Sequence, residues 1–175
     1  MSKTRRDPRA NSQSCEVPPP SPAPRETAFE RPRGVSGVVP RQGYCQVHVF
    51  EIPDPLIENR LQVLQAVAAA SISIDFLKLT PHGLSFVATA DRAEDLKRIF
   101  AEGGYKATVG VGRTILSVHA VNIRDEEGLI AEVLQEAISL GAQIDHVGDG
   151  HDRLLLVVGD ADASRIQRHF ESKIK

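Results

Sequence analysis

Tryptophan is absent from this 175-residue chain, methionine occurs once, cysteine twice, and aromatic residues make up only 5%. Two cysteines, Cys15 and Cys45, cannot build a disulfide framework or a four-cysteine zinc site, so nothing demands an oxidising compartment. No apolar run approaches the roughly 18–20 residues needed to cross a bilayer as a helix. A signal peptide would need a continuous apolar segment near the start, and none is there. There is no phosphate-cradling Gly-x-x-x-x-Gly-Lys loop either. The expectation is a soluble, cytoplasmic protein with no cofactor and no metal.

Charge and proline are unevenly spread. Residues 1–43 hold eight Lys/Arg against four Asp/Glu and eight of the eleven prolines, whereas residues 44–175 carry a net charge of −6. The first segment has no periodic apolar pattern, so it cannot offset the roughly 1–2 kcal/mol per residue lost on ordering the backbone. It reads as a disordered tail, 1–43, too thinly basic for nucleic acid.

The remainder repeats itself at a spacing near 70. Val47-His48 recurs as Val118-His119, Val63-Leu64-Gln65 as Val133-Leu134-Gln135, Ile74-Asp75 as Ile144-Asp145, and Arg98 and Phe100 as Arg168 and Phe170. Each copy opens with a Val/Ile/Leu-rich strand, 44–52 or 113–122, and continues into a helix. Ile57, Leu61, Leu64 and Ala68 mark the first helix; Ile130, Val133, Leu134 and Ala137 mark the second. A hairpin follows, with strict alternation over 71–76 in the first copy, and then a second helix with Asp91 or Asp160 as N-cap candidate. Residues 105–111 supply a fourth strand to the first copy, and the second ends without its own. The order predicts an α+β chain of two ferredoxin-like βαββαβ units, 44–112 and 113–175. Leu77, Leu79, Val87, Val109 and Val111 exceed what one helix layer covers, so pairing of the units and self-association into a homodimer are expected.

Sharper chemistry finds little support. Asp145, His146, Asp149, His151 and Asp152 gather around one hairpin, yet Gly148 and Gly150 make it an ordinary solvated turn rather than a metal site. Gly110-Val111-Gly112 is a weak glycine pair between two strands. The serines have no adjacent base, Cys45 suits a small buried hydrophobe, and no basic-aromatic signature for RNA sits on a central strand. Catalysis is not expected.

Two consecutive βαββαβ units, the loop Asp125-Glu126-Glu127-Gly128-Leu129-Ile130 and the strand start Leu140-Gly141-Ala142-Gln143-Ile144-Asp145 resemble the tandem ACT domains at the regulatory C-terminus of aspartate kinases. The resemblance spans about residues 44–175 and does not extend to a kinase domain, whose Lys-Phe-Gly-Gly-Thr opening is missing. It implies a non-catalytic regulator that binds a free amino acid between ACT units and modulates a partner enzyme of amino-acid metabolism. It implicates Asp125, Gly128, Leu129, Ile130, Ile144 and Asp145 in ligand binding, with backbone amides at the helix start taking the carboxylate. In the first unit the glycine position falls on Ile57, so that loop reads as structural. The alternative is a ligand-free dimerisation module of the same fold.

Overall fold

Two long strands carry the architecture, one with Cys45, Val47 and Val49 alternating on one face and the other with Leu116, Val118 and Ala120 doing the same. These are β1 (Val35–Val49) and β4 (Ala107–Ala120), antiparallel neighbours at the centre of one six-stranded sheet. The computed structural model describes residues 34–120, 123 and 127–174. The other elements are α1 (Leu56–Ala69), β2 (Phe76–Thr80), β3 (Gly83–Thr89), α2 (Ala93–Glu102), α3 (Leu129–Ser139), β5 (Ile144–Asp149), β6 (Arg153–Gly159) and α4 (Asp160–Glu171). The strand order is β2-β3-β1-β4-β6-β5, antiparallel throughout.

Both long strands break register between residues 41 and 45 of β1, opposite Val111 to Ile115 of β4. Each therefore serves two half-sheets. Residues 44–49 pair with β3 and with 107–111, which gives four strands with α1 and α2 over one face. Residues 113–120 pair with β6 on one side and with 35–41 on the other, giving four strands under α3 and α4. The last strand that the second unit lacks is thus supplied by residues 35–41, from ahead of the first unit.

That arrangement corrects the expected tail. Residues 35–43 are strand, and Val38 is buried in the second core with Leu116, Val118, Leu156 and Phe170. The rest of the expected tail, residues 1–33, lies outside the described residues. Gly110-Val111-Gly112, taken as a link between strands, lies inside β4.

Three smaller expectations also move. The alternating stretch 71–76 is not one strand: Ile72 and Ile74 pack under the first helix layer, β2 begins only at Phe76, and Phe76 turns to the other face. Helix α1 buries Val63 and Val67 and leaves Ile57 78% and Leu61 53% exposed, so its inner face is rotated from the expected one. The N-caps are Arg92 and Gly159 instead of Asp91 and Asp160.

The faces away from the helices meet each other. Tyr44, Val87, Ile115 and Val157 form a third core, with Phe76 and Leu155 packed against it. Its members are repeat equivalents: Tyr44 answers Ile115, and Val87 answers Val157. Phe76 answers His146, and the two rings stack at 6.3 Å. The sheet curls so that both units cover the same apolar layer, which accounts for Val87. Leu77, Leu79 and Val111 remain about half exposed, and Val109 joins the first core.

Candidate functional site

Helix α3 starts after Gly128, which holds φ +84, a left-handed conformation that glycine adopts without the Cβ penalty. The N-cap residue, Gly128, has no side chain to cap this terminus, and among the described residues a Cβ built on it would have no atom within 4 Å. The first amides of a helix have no intrahelical acceptor. Leu129 is buried in the second core and Ile130 packs at its margin, so these two residues can offer a ligand only their backbone. Asp125 lies outside the described residues.

Beside the start of α3 is a cleft of about 290 Å³ reached by Gly34, Leu129, Glu132, Glu136, Phe170 and Lys173. Two of its charges, Glu136 and Lys173, are already paired. Glu136 accepts from Lys173 Nζ at 2.6 Å and from His169 Nε2 at 2.9 Å. Burial alone would raise its carboxyl, but these two partners hold it below the usual range.

Ile144 and Asp145 are placed elsewhere. Ile144 pairs with Val158 and Arg113 with Gly159 at one end of the second unit, whereas Ala120 meets Asp152 at the end from which the chain proceeds to α3. Roughly 20 Å of strand lies between Arg113 and Ala120. Within one unit, therefore, Gly128 and Asp145 do not share a pocket. Ile144 packs against the second core, and Asp145 accepts a hydrogen bond from Arg113 Nε at 2.6 Å.

Asp145 also borders a cleft of about 260 Å³ with Gln143, Asp160 and Asp162. The backbone N–H of Gln143 donates to Asp162 at 2.9 Å and, against burial and with help from Arg165, holds that carboxyl low. Thr114 Oγ1 donates to Asp160 Oδ1 at 2.7 Å. The carboxylates here are engaged with neighbours of this same chain. Sequence reading missed Arg113, whose position next to the first residues of a buried strand was the available signal.

The hairpin read as a solvated turn is partly something else. His146 is 7% exposed and points into the space between the units, where Gln46 meets it. A lone amide at position 46 of an otherwise apolar strand was the clue, since a buried amide needs partners. Among the described residues, no group of three or more His, Cys, Asp or Glu side chains is placed to hold a metal ion. No helix of the described residues is long and apolar enough to cross a membrane.

No protein-family model matches the sequence. Aspartokinase 1 of Bacillus subtilis (strain 168) is 24% identical over 115 residues, which are 65% of this chain and 28% of that protein, so this chain spans well under half of its relative. The regulatory subunit of aspartate kinase from Thermus thermophilus, in its ligand-free form, superposes with a TM-score of 0.70 at 21% identity, covering 80% of this chain and 97% of that one. Aspartokinase III of E. coli, in complex with lysine and aspartate, superposes with a TM-score of 0.63 at 14% identity, covering 83% of this chain and 34% of that one. The fold of this chain is that of the regulatory regions of aspartate kinases: paired ferredoxin-like units of the ACT type.

Proposed function

We propose that this chain is a regulatory module that binds a free amino acid at the start of α3 and passes that state to a partner enzyme of amino-acid metabolism. The observation that carries the reading is the left-handed Gly128 at the start of α3, within a fold that superposes along nearly the whole length of an aspartate kinase regulatory subunit. Free amides and the positive end of the helix dipole suit the carboxylate of an amino acid. Because Asp145 lies at the other end of its own unit, Ile144 and Asp145 would reach this ligand only from the β5 strand of a second copy. The reading therefore includes a homodimer. The chain's own part is to bind, not to catalyse.

A thermal-shift screen against the 20 amino acids tests it first, since a ligand at 100 times its Kd adds about 2.7 kcal/mol of stability. Calorimetry then compares wild type with Gly128→Val. Valine at this left-handed position is expected to cost roughly 1–2 kcal/mol in stability and to fill the approach to the amides, abolishing binding in a chain that still folds. Equal binding by both would place the site elsewhere.

A second reading is favoured by the Arg113–Asp145 pair and by the exposed Leu77, Leu79 and Val147 on the two edge strands. An engaged carboxylate and apolar edges suit a dimerisation module with no ligand. A dimer in sedimentation together with no stabilisation by any amino acid would select it.

A further inference from the structure

We propose that Gln46, His48 and His146 form a pH-operated latch between the two units, closed while His146 is neutral and released when it takes a proton. Gln46 and His48 lie on β1, two residues apart on the face turned from the helices, and His146 lies on β5 of the other unit. The Gln46 Nε2 amide donates to His48 Nε2 at 2.8 Å and to His146 Nε2 at 3.2 Å. One amide thus uses its two N–H donors to bridge two bare ring nitrogens. The imidazoles lie nearly parallel at 6.3 Å, and Phe76 stacks on His146 at the same distance.

Protonation removes what holds this contact. A proton on Nε2 turns the acceptor into a donor aimed at another donor, and it puts a charge among Phe76, Val157 and Leu155. Burial is the strongest influence against that charge, followed by His48 from β1; Lys78 from β2 opposes it too. Asp145, next to His146 on β5, favours the proton, but Arg113 of β4 already occupies it. From β3 and β6, Val87 and Val157 bring no charge. The result is a ring whose affinity for a proton is below the ordinary value near 6.5.

The sign of the pH dependence follows. The unfolded chain takes the proton at about pH 6.5 and the folded chain does not, so the latch contributes fully above about pH 6.5 and is lost as pH falls below it. The inference stands on this cluster alone and is independent of whether an amino acid binds at α3.

Two measurements on the full chain decide it. Side-chain NMR of the six imidazoles between pH 8 and 5 should show His146 neutral where exposed histidines are charged; titration of His146 near 6.5 would overturn the latch. Amide exchange over residues 146–148, corrected for intrinsic rates, should quicken about tenfold between pH 7.5 and 5.5 in wild type. In His146→Phe, which keeps the stack and cannot be charged, it should stay flat. The same acid response in that variant would also overturn the latch. If the phenylalanine variant does not fold, His146→Gln, which takes no proton, replaces it, and its exchange should likewise stay flat.

Discussion

At the scale of single residues, the two copies end their first helices in the same way with different amino acids. After α1, Ser71 N–H donates to Ala68 at 2.9 Å and Ile72 N–H to Val67 at 3.3 Å; after α3, Gly141 donates to Ile138 at 2.8 Å and Ala142 to Ala137 at 3.3 Å. Both are Schellman caps, which need a left-handed residue just past the helix. Gly141 takes φ +75 freely, whereas Ser71 is held at φ +54 despite its Cβ. Ser71→Gly is therefore expected to stabilise the chain by roughly 0.5–1 kcal/mol, the left-handed penalty less the extra entropy of glycine. Gly141→Ala should destabilise it by about as much, and urea denaturation of both variants measures the pair. The cap also explains why alternation over 71–76 misled. It ties Ile72 into the first core beside Val67, the strand begins only at Phe76, and the phase of the pattern is lost in between.

At the scale of elements, much of the order was legible because the repeat carries it twice: every helix, both hairpins and the missing last strand were visible as periodicity or punctuation. The replacement for that strand was not. Residues 35–41 contain Pro40 and Arg41 and follow a proline-rich stretch, so composition classed them with the tail. Proline is tolerated there because these residues have β4 on one side only and form the edge of the second half-sheet. Local sequence cannot reveal a partner some 80 residues away, such as Val118 opposite Val38. A chain starting at residue 44 should consequently lose stability sharply, with the second unit left without an edge and Val38 gone from its core. Its melting temperature is expected to fall by well over five degrees, since about 1 kcal/mol already shifts a domain of this size by a few degrees. Val38→Asp in the full chain should act in the same direction, by putting a carboxylate among apolar neighbours. An unchanged melting temperature in both would mean that the strand is dispensable. The candidate site was legible in part for a related reason: Gly128 is set by local chemistry, but the partners of Asp145 and His146 arise only when the sheet curls.

At the scale of the whole molecule, neither unit has a private outer face. Tyr44 and Val87 of the first pack with Ile115 and Val157 of the second, and β1 and β4 run unbroken through both halves. Burial of that shared layer makes the two units one cooperative body, because unfolding either would expose the other's apolar surface. Val157 is fully buried on β6, in the second unit, so Val157→Ala should cost about 2 kcal/mol through lost burial and the cavity left behind. Both tyrosines of the chain, Tyr44 and Tyr105, belong to the first unit, and there is no tryptophan to obscure them. In a Tyr44→Phe background, fluorescence of Tyr105, which packs against the first core, reports the first unit alone, while far-UV circular dichroism reports both. In the variant, the two signals should still coincide along a urea titration and shift to lower denaturant together. If the tyrosine transition stayed at its wild-type position while the dichroism moved, the units would be unfolding separately and the shared core would not couple them.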